Sequence, residues 1–181
     1  MRLARKIPTT TGKEIGNKNN NRYHKSQAII HLEAIALSEA QKHYPNVPYL
    51  APRTFRDDSA NGLTNCIIQF LRLKGHQAER ISNTGRHIDN RTSFEDVIGR
   101  IRTIGRTKWI PGTGTKGTAD IAATINGRSV KIEVKIGRDR QSTAQKLYQQ
   151  DIEQAGGIYF IATSFEQFLT WFNLTFGEVQ P

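Results

Sequence analysis

The stretch KGTADIAATINGRSVKIEVKIG, Lys116 to Gly137, decides how the chain folds. Asn126-Gly127 stands between two apolar-patterned runs, the strongest short-range signal for a two-residue hairpin. With these residues as the loop, Ile125 faces Arg128, and pairing runs outward through Ala123–Val130, Ile121–Ile132 and Ala119–Val134. All of these but Arg128 are apolar. The other face carries Thr124–Ser129, Ala122–Lys131, Asp120–Glu133 and Thr118–Lys135. A slip of one residue would mix the two sets, so the pattern supports this register.

The register sets Asp120 opposite Glu133, with Cβ atoms about 4.5–5.5 Å apart, where like charges destabilise. A protonated carboxyl, a neighbouring lysine or a bound cation would offset the repulsion. Lys135 leaves the strand on the same face as Glu133 and lies diagonal to Asp120. Two acids without His or Cys suit a hard divalent ion. Mg²⁺ takes one or two protein carboxylates and fills its other positions with water and substrate phosphate, whereas zinc prefers other donors. Such an ion polarises a scissile phosphate and lowers the pKa of a bound water. Lys135 would orient that water or stabilise the charge that builds on the phosphorane. The bland alternative is a solvated strand face with alternating Glu and Lys, because E-x-K alone is nearly uninformative.

Working outward, NGLTNCIIQFLRLKG reads as an amphipathic helix with Leu63, Ile67, Phe70 and Leu71 inward and Gly75 as its stop. HQAERIS reads as a strand. STAQKLYQQDIEQAGG reads as a helix, GIYFIAT as a strand and SFEQFLTWF as a closing helix. Before this compact part, SQAIIHLEAIALSEAQKHY reads as a helix with Ile29, Leu32 and either Ile35 or Ala36 on one face, and the prolines of YPNVPYLAPRT end it. The expected division is a basic arm with a helical extension over 1–55 and a catalytic domain over 56–181. Residues 83–115 read mostly as a loop or insertion with a short helical piece near SFEDVIGRIR.

With these residues placed, KGTADI, IEVKIGRDRQSTAQ and GGIYFIATS resemble the VRR-NUC branch of the PD-(D/E)XK nucleases. The resemblance covers roughly Asn61 to Thr163. It implies an α/β, restriction-endonuclease-like αβββαβ core with a central mixed sheet flanked by helices. It also implies Mg²⁺-dependent, or Mn²⁺-dependent, endonuclease cleavage of DNA phosphodiester bonds, including branched or junction DNA. Asp120 matches the family's acidic motif, Glu133 and Lys135 its E-x-K, and Gln145 the glutamine of the next helix. Asp120 and Glu133 would hold the ion, with the Val134 carbonyl as a further ligand. Two copies per junction would suit a branched substrate, which raises a homodimer. Many family members occur in phages and bacteria, so the expected place of action is the host cytoplasm. One departure matters: the first helix offers Asn61, Asn65 and Gln69 where the family often has a glutamate. Asn65 is the candidate there.

Gln145 has a second reading, because STAQ is a capping box in which Gln145 reaches back to Ser142. SFEQ repeats the pattern. Arg80, Arg86, Lys108, Lys116, Arg138 and Arg140 are candidate phosphate contacts, each with a solvated surface charge as its bland alternative. The five histidines show no ligand spacing, and GTGTKGT lacks the spacing of a phosphate-binding loop.

Composition agrees with a polyanionic partner. The chain has 181 residues, with 26 Lys and Arg against 16 Asp and Glu and a net charge of +10. Such an excess favours nucleic acid over an acidic membrane surface. The single cysteine, Cys66, excludes an internal disulfide framework and a cysteine zinc site. No apolar run approaches the roughly 20 residues that span a bilayer, and MRLARKIPTT lacks the apolar core of a secretory signal. The rival reading is a nucleic-acid-binding module with a vestigial nuclease fold that does not cut.

Overall fold

A computed structural model describes residues 23–82, 85–112 and 114–177; residues 1–22, which hold most of the basic arm, lie outside the described residues. The elements run α1 (Gln27–His43), α2 (Ala60–Leu73), β1 (Gln77–Arg80), β2 (Arg86–Asp89), β3 (Thr92–Glu95), β4 (Ile101–Ile104), β5 (Thr107–Ile110), β6 (Ile121–Ile125), β7 (Arg128–Val134), α3 (Thr143–Gln154), β8 (Ile158–Ala162) and α4 (Phe165–Phe176). This is a mixed α/β fold around a four-stranded sheet ordered β1-β6-β7-β8. The β7–β8 pair is parallel and the other two are antiparallel. No helix among the described residues is long and apolar enough to cross a membrane.

The β6–β7 hairpin forms as its turn residues dictate. Asn126 and Gly127 both have positive φ, 49° and 77°, the backbone of a type I′ turn whose twist matches the flanking strands. Pairing follows the expected register from Ile125–Arg128 to Ile121–Ile132 and stops there. The further expected pairs, Asp120–Glu133, Ala119–Val134 and Thr118–Lys135, are not part of the ladder. Asp120 ends the ladder: its carboxylate takes the N–H of Val134, and its carbonyl accepts from Ile81 beside β1.

One sheet face is apolar. Ile121, Ala123, Ile125, Val130, Ile132 and Val134 pack into a core shared with α1, α2 and α4. Phe70 of α2 anchors it, meeting Phe165, Phe168 and Phe172 of α4 edge-on at 5.8, 5.9 and 5.1 Å, the arrangement that the ring quadrupole favours. Gly75, at φ +80, ends α2 while its N–H bonds Arg72 and that of His76 bonds Leu71. Ile29, Leu32 and Ala36 of α1 join this same core. Cys66 is buried, and burial pushes its thiol up to about 12, so it is inert packing.

The other sheet face carries Lys131, Glu133, Tyr159 and Ile161, neighbours in the β7–β8 register. Among the described residues α3, none of whose residues is fully buried, packs over it through β8. Glu133 and Tyr159 are buried beneath this cover, while Lys131 is only partly covered.

Residues 85–112 differ from the expected loop with a helical piece. Here β2 pairs β5 and β3 pairs β4, and no helix forms. Asp89 pairs Thr107 and Thr92 pairs Ile104. Two residues therefore intervene on each strand, and the two ladders form one ribbon in one register. Thr, Ile and Phe suit extended backbone. Asp96 closes the tip by accepting the N–H groups of Ile98 and Arg100 at 3.1 and 3.0 Å, as a short polar side chain commonly does in a turn.

Candidate functional site

The break at Asp120 builds the site. An undisturbed ladder would give the Val134 N–H to Ala119; instead Asp120 Oδ2 accepts it at 2.8 Å. A strand residue presents its N–H and its C=O to the same edge. The Val134 carbonyl therefore also faces Asp120.

The Glu133 side chain, one residue earlier on β7, leaves the strand on the face opposite to the core-facing Val134 side chain and is 2% exposed. Its Oε1 accepts from Lys135 Nζ at 3.0 Å and from Gln145 Nε2. Its Oε2 is buried and has no hydrogen-bond partner among the described residues. Burial raises the Glu133 pKa above the ordinary carboxylate range; the Lys135 hydrogen bond opposes this and the charge of Asp120 adds to it. Lys135 also bonds Asp139 at 3.2 Å. Burial works against the Lys135 ammonium, but its bonds to Glu133 and Asp139 outweigh that and its pKa is raised. Lys135 is therefore a donor at neutral pH rather than a base.

Gln145 closes the capping box and also hydrogen-bonds Glu133. Ser142 Oγ accepts the Gln145 N–H at 3.3 Å, and Gln145 Oε1 accepts the Ser142 N–H at 2.9 Å. With Oε1 committed to the cap, only Nε2 remains for Glu133. Close approach of the 114–118 loop to this cap requires Gly117: at φ +80, a Cβ there would lie 2.3 Å from the Ala144 carbonyl oxygen. SFEQ is different. Ser164 caps α4, but Gln167 Oε1 accepts from Thr163 rather than from Ser164.

Two open clefts each reach one of the side chains bonded to Glu133, Gln145 in the first and Lys135 in the second. One, about 520 Å³, runs between the base of the ribbon and α3 and is lined by Trp109, Lys116, Thr118 and Gln145 among others. The other, about 370 Å³, is lined by Lys135, Asp139, Arg140, Gln141 and Lys146. Lys116 and Arg140 thus stand in the clefts, one on each side. Arg138 is exposed in the β7–α3 loop. Arg80 is tied to Asn61 Oδ1 at 2.8 Å. Arg86 and Lys108 lie out on the ribbon. Asn65 is exposed on α2 and makes no hydrogen bond among the described residues.

The acids just before α2 do not replace the missing helix glutamate. Asp57 accepts from Tyr23 Oη at 2.8 Å and from the Phe165 N–H at 3.1 Å, which ties the chain to the start of α4. Asp58 pairs with Arg56. Among the described residues no group of three or more His, Cys, Asp or Glu side chains is placed to share an ion.

Sequence reasoning missed Asp139 and Tyr159. Asp139 carried a usable signal, four residues beyond Lys135 and in the loop that leaves its strand. Tyr159 sits beside Lys131 in register, and its hydroxyl is buried without a hydrogen bond of proper geometry. Burial, and then the charge of Glu133, raise its pKa, while Gln141 is near enough to favour the ionised form slightly. The phenol therefore stays neutral.

Asp120 and Glu133 offer only oxygen donors, and one buried Glu133 carboxylate oxygen has no partner among the described residues. Such a set fits a hard divalent cation. No family model matches the chain, and no curated protein shows significant similarity to it.

Proposed function

We propose that the chain is a metal-dependent endonuclease that hydrolyses phosphodiester bonds in DNA. The observation that carries this reading is the buried Glu133 carboxylate, clamped on one oxygen by Lys135 and Gln145, without a partner on the other among the described residues, and within reach of the charge of Asp120. A buried anion with an unsatisfied oxygen is costly, and a cation is what offsets that cost. The element order α2-β1-β6-β7-α3-β8 supports the reading, since it runs αβββαβ with the ribbon inserted after the first strand.

Asp120, Glu133 and the Val134 carbonyl would hold Mg²⁺, or Mn²⁺ in its place. When bound, the ion supplies polarisation of the scissile phosphate and a water of lowered pKa. Gln145 fixes the orientation of Glu133. Lys135, held protonated, donates toward the attacking oxygen or the charged phosphate oxygens. Lys116 and Arg140 bind backbone phosphates on either side, which positions DNA without reading its sequence.

A second reading rests on α2, where Asn61, Asn65 and Gln69 give no acid. In it the chain binds nucleic acid without cutting. The two separate on incubation with plasmid and four-way-junction DNA in Mg²⁺, Mn²⁺ or EDTA, using the native chain and Lys135→Ala. Ion-dependent nicking that Lys135→Ala loses supports the nuclease. Salt-sensitive binding with no cleavage under any condition supports the module.

A further inference from the structure

The ribbon of residues 86–110 carries apolar side chains where solvent is fullest. All four residues of β3 and all four of β4 are exposed. With strands 86–95 and 101–110 in one register, each edge extends about 33 Å. The tip is a three-residue loop: Gly99 N–H bonds Asp96 O at 2.9 Å, Asp96 N–H bonds Arg100 O at 2.9 Å, and Gly99 has φ +75. That is a type I turn closed by a left-handed glycine, and Asp96 braces it with two further bonds. Turn centres usually hold polar residues, Gly or Pro. Here they are Val97 and Ile98, 103% and 65% exposed.

Charge surrounds this tip. Residues 85–112 hold six Arg and Lys against three acids. Arg91 pairs with Asp89 and Arg102 with Asp96. Among the described residues Arg86, Arg100, Arg106 and Lys108 have no acidic partner. Within β2–β5 the face of Arg86, Ile88, Lys108 and Ile110 carries no acid. Its opposite face holds Asp89 with His87 and Trp109.

We infer that the ribbon is a DNA-distorting arm, which lies along a groove of duplex DNA and inserts Val97 and Ile98 at a weakened base step. This rests on the proposed nucleic-acid substrate and narrows it to duplexes with an easily opened step, such as a branch or mismatch. A two-stranded ribbon fits a DNA groove. Unpaired cations supply the attraction to phosphate. Apolar wedges of this kind unstack and kink the duplex, and a mismatched step opens most cheaply. The ribbon springs from Gly85 and Pro111, which line the cleft beside Gln145, so a duplex lying along the ribbon reaches that cleft about 33 Å from the step the tip opens.

The test uses the full chain in EDTA with a duplex carrying 2-aminopurine beside one mismatch, and its fully paired counterpart. The native chain is expected to brighten the 2-aminopurine and to prefer the mismatched duplex by about tenfold or more. A chain with Val97→Ser and Ile98→Ser should bind the paired duplex with unchanged affinity and salt slope, yet lose both the brightening and the preference. Both side chains are solvent-exposed, so the substitutions leave the core intact. Sedimentation of both chains is run alongside. Tight binding without brightening overturns the wedge. So does a tip-dependent monomer–dimer shift with no effect on DNA, which would make the tip a self-association surface. Failure to bind any DNA overturns the nucleic-acid reading on which the wedge rests.

Discussion

Asp120 Oδ2 accepts the backbone N–H of Val134 at 2.8 Å, in the place where the next rung of the β6–β7 ladder would stand. The side chain thus completes the sheet and carries the charge of the site at once. Asp120→Asn keeps an acceptor and removes the charge. Asp120→Ala leaves the Val134 N–H without its partner, at a cost of about 1–3 kcal/mol. Denaturant melts should therefore show Asp120→Ala less stable than Asp120→Asn by that amount, while neither variant cleaves DNA. Equal stability of the two would remove the structural half of this role.

Gln145→Glu separates the cap from the site. A glutamate still accepts the Ser142 N–H, as in an ordinary capping box. It cannot donate to Glu133 and sets a second anion beside it. The melting temperature should stay near that of the native chain, while Mg²⁺ affinity or cleavage changes by about 10–100-fold. Full activity in Gln145→Glu would leave Gln145 as a helix cap only.

Stability should respond to pH and to metal together. Burial raises the Glu133 pKa above its unfolded value. The stability this group contributes is present below the unfolded pKa and is lost as pH rises through the raised folded value. A bound cation competes with the same proton. The rise in melting temperature caused by Mg²⁺ should grow from the ordinary glutamate range upward and level off once Glu133 is ionised. At 100 times its dissociation constant, the ion would add about 2.7 kcal/mol. Glu133→Gln should lack the pH-dependent part. A Mg²⁺ effect that ignores pH, or survives in Glu133→Gln, contradicts the assignment.

Phe70→Ala should cost about 3–5 kcal/mol, because Phe70 is 1% exposed and meets three rings of α4. The same loss is expected by thermal and by denaturant unfolding. A loss below 1 kcal/mol would mean that α4 does not anchor the core.

Where one residue type and one local pattern agreed, the sequence was legible. Asn126-Gly127 and the two-residue alternation determined the hairpin register as far as Ile121–Ile132, because a slip would bury Lys131 and Glu133 on the core face. Beyond that, pattern had no way to show a side chain replacing a backbone rung at Asp120. Gln145 left two readings open because a glutamine has two ends, and both proved to be used. The 85–112 ribbon was misread because its strands bury nothing, so alternation against a core was absent. Its helical look near SFEDVIGRIR came from apolar spacing that belongs to a turn. Asp57 and Asp58 could be placed before α2 from sequence, but only the folded chain ties Asp57 to Phe165, 108 residues away.

Single-turnover cleavage of a four-way junction tests the central claim most directly, with binding followed in the same samples. Native chain and Glu133→Gln are compared in Mg²⁺ at one salt concentration. The account predicts comparable binding by both, cleavage by the native chain, and a rate at least about a thousandfold lower for Glu133→Gln. Binding by both with cleavage by neither, or cleavage by Glu133→Gln at the native rate, would contradict it.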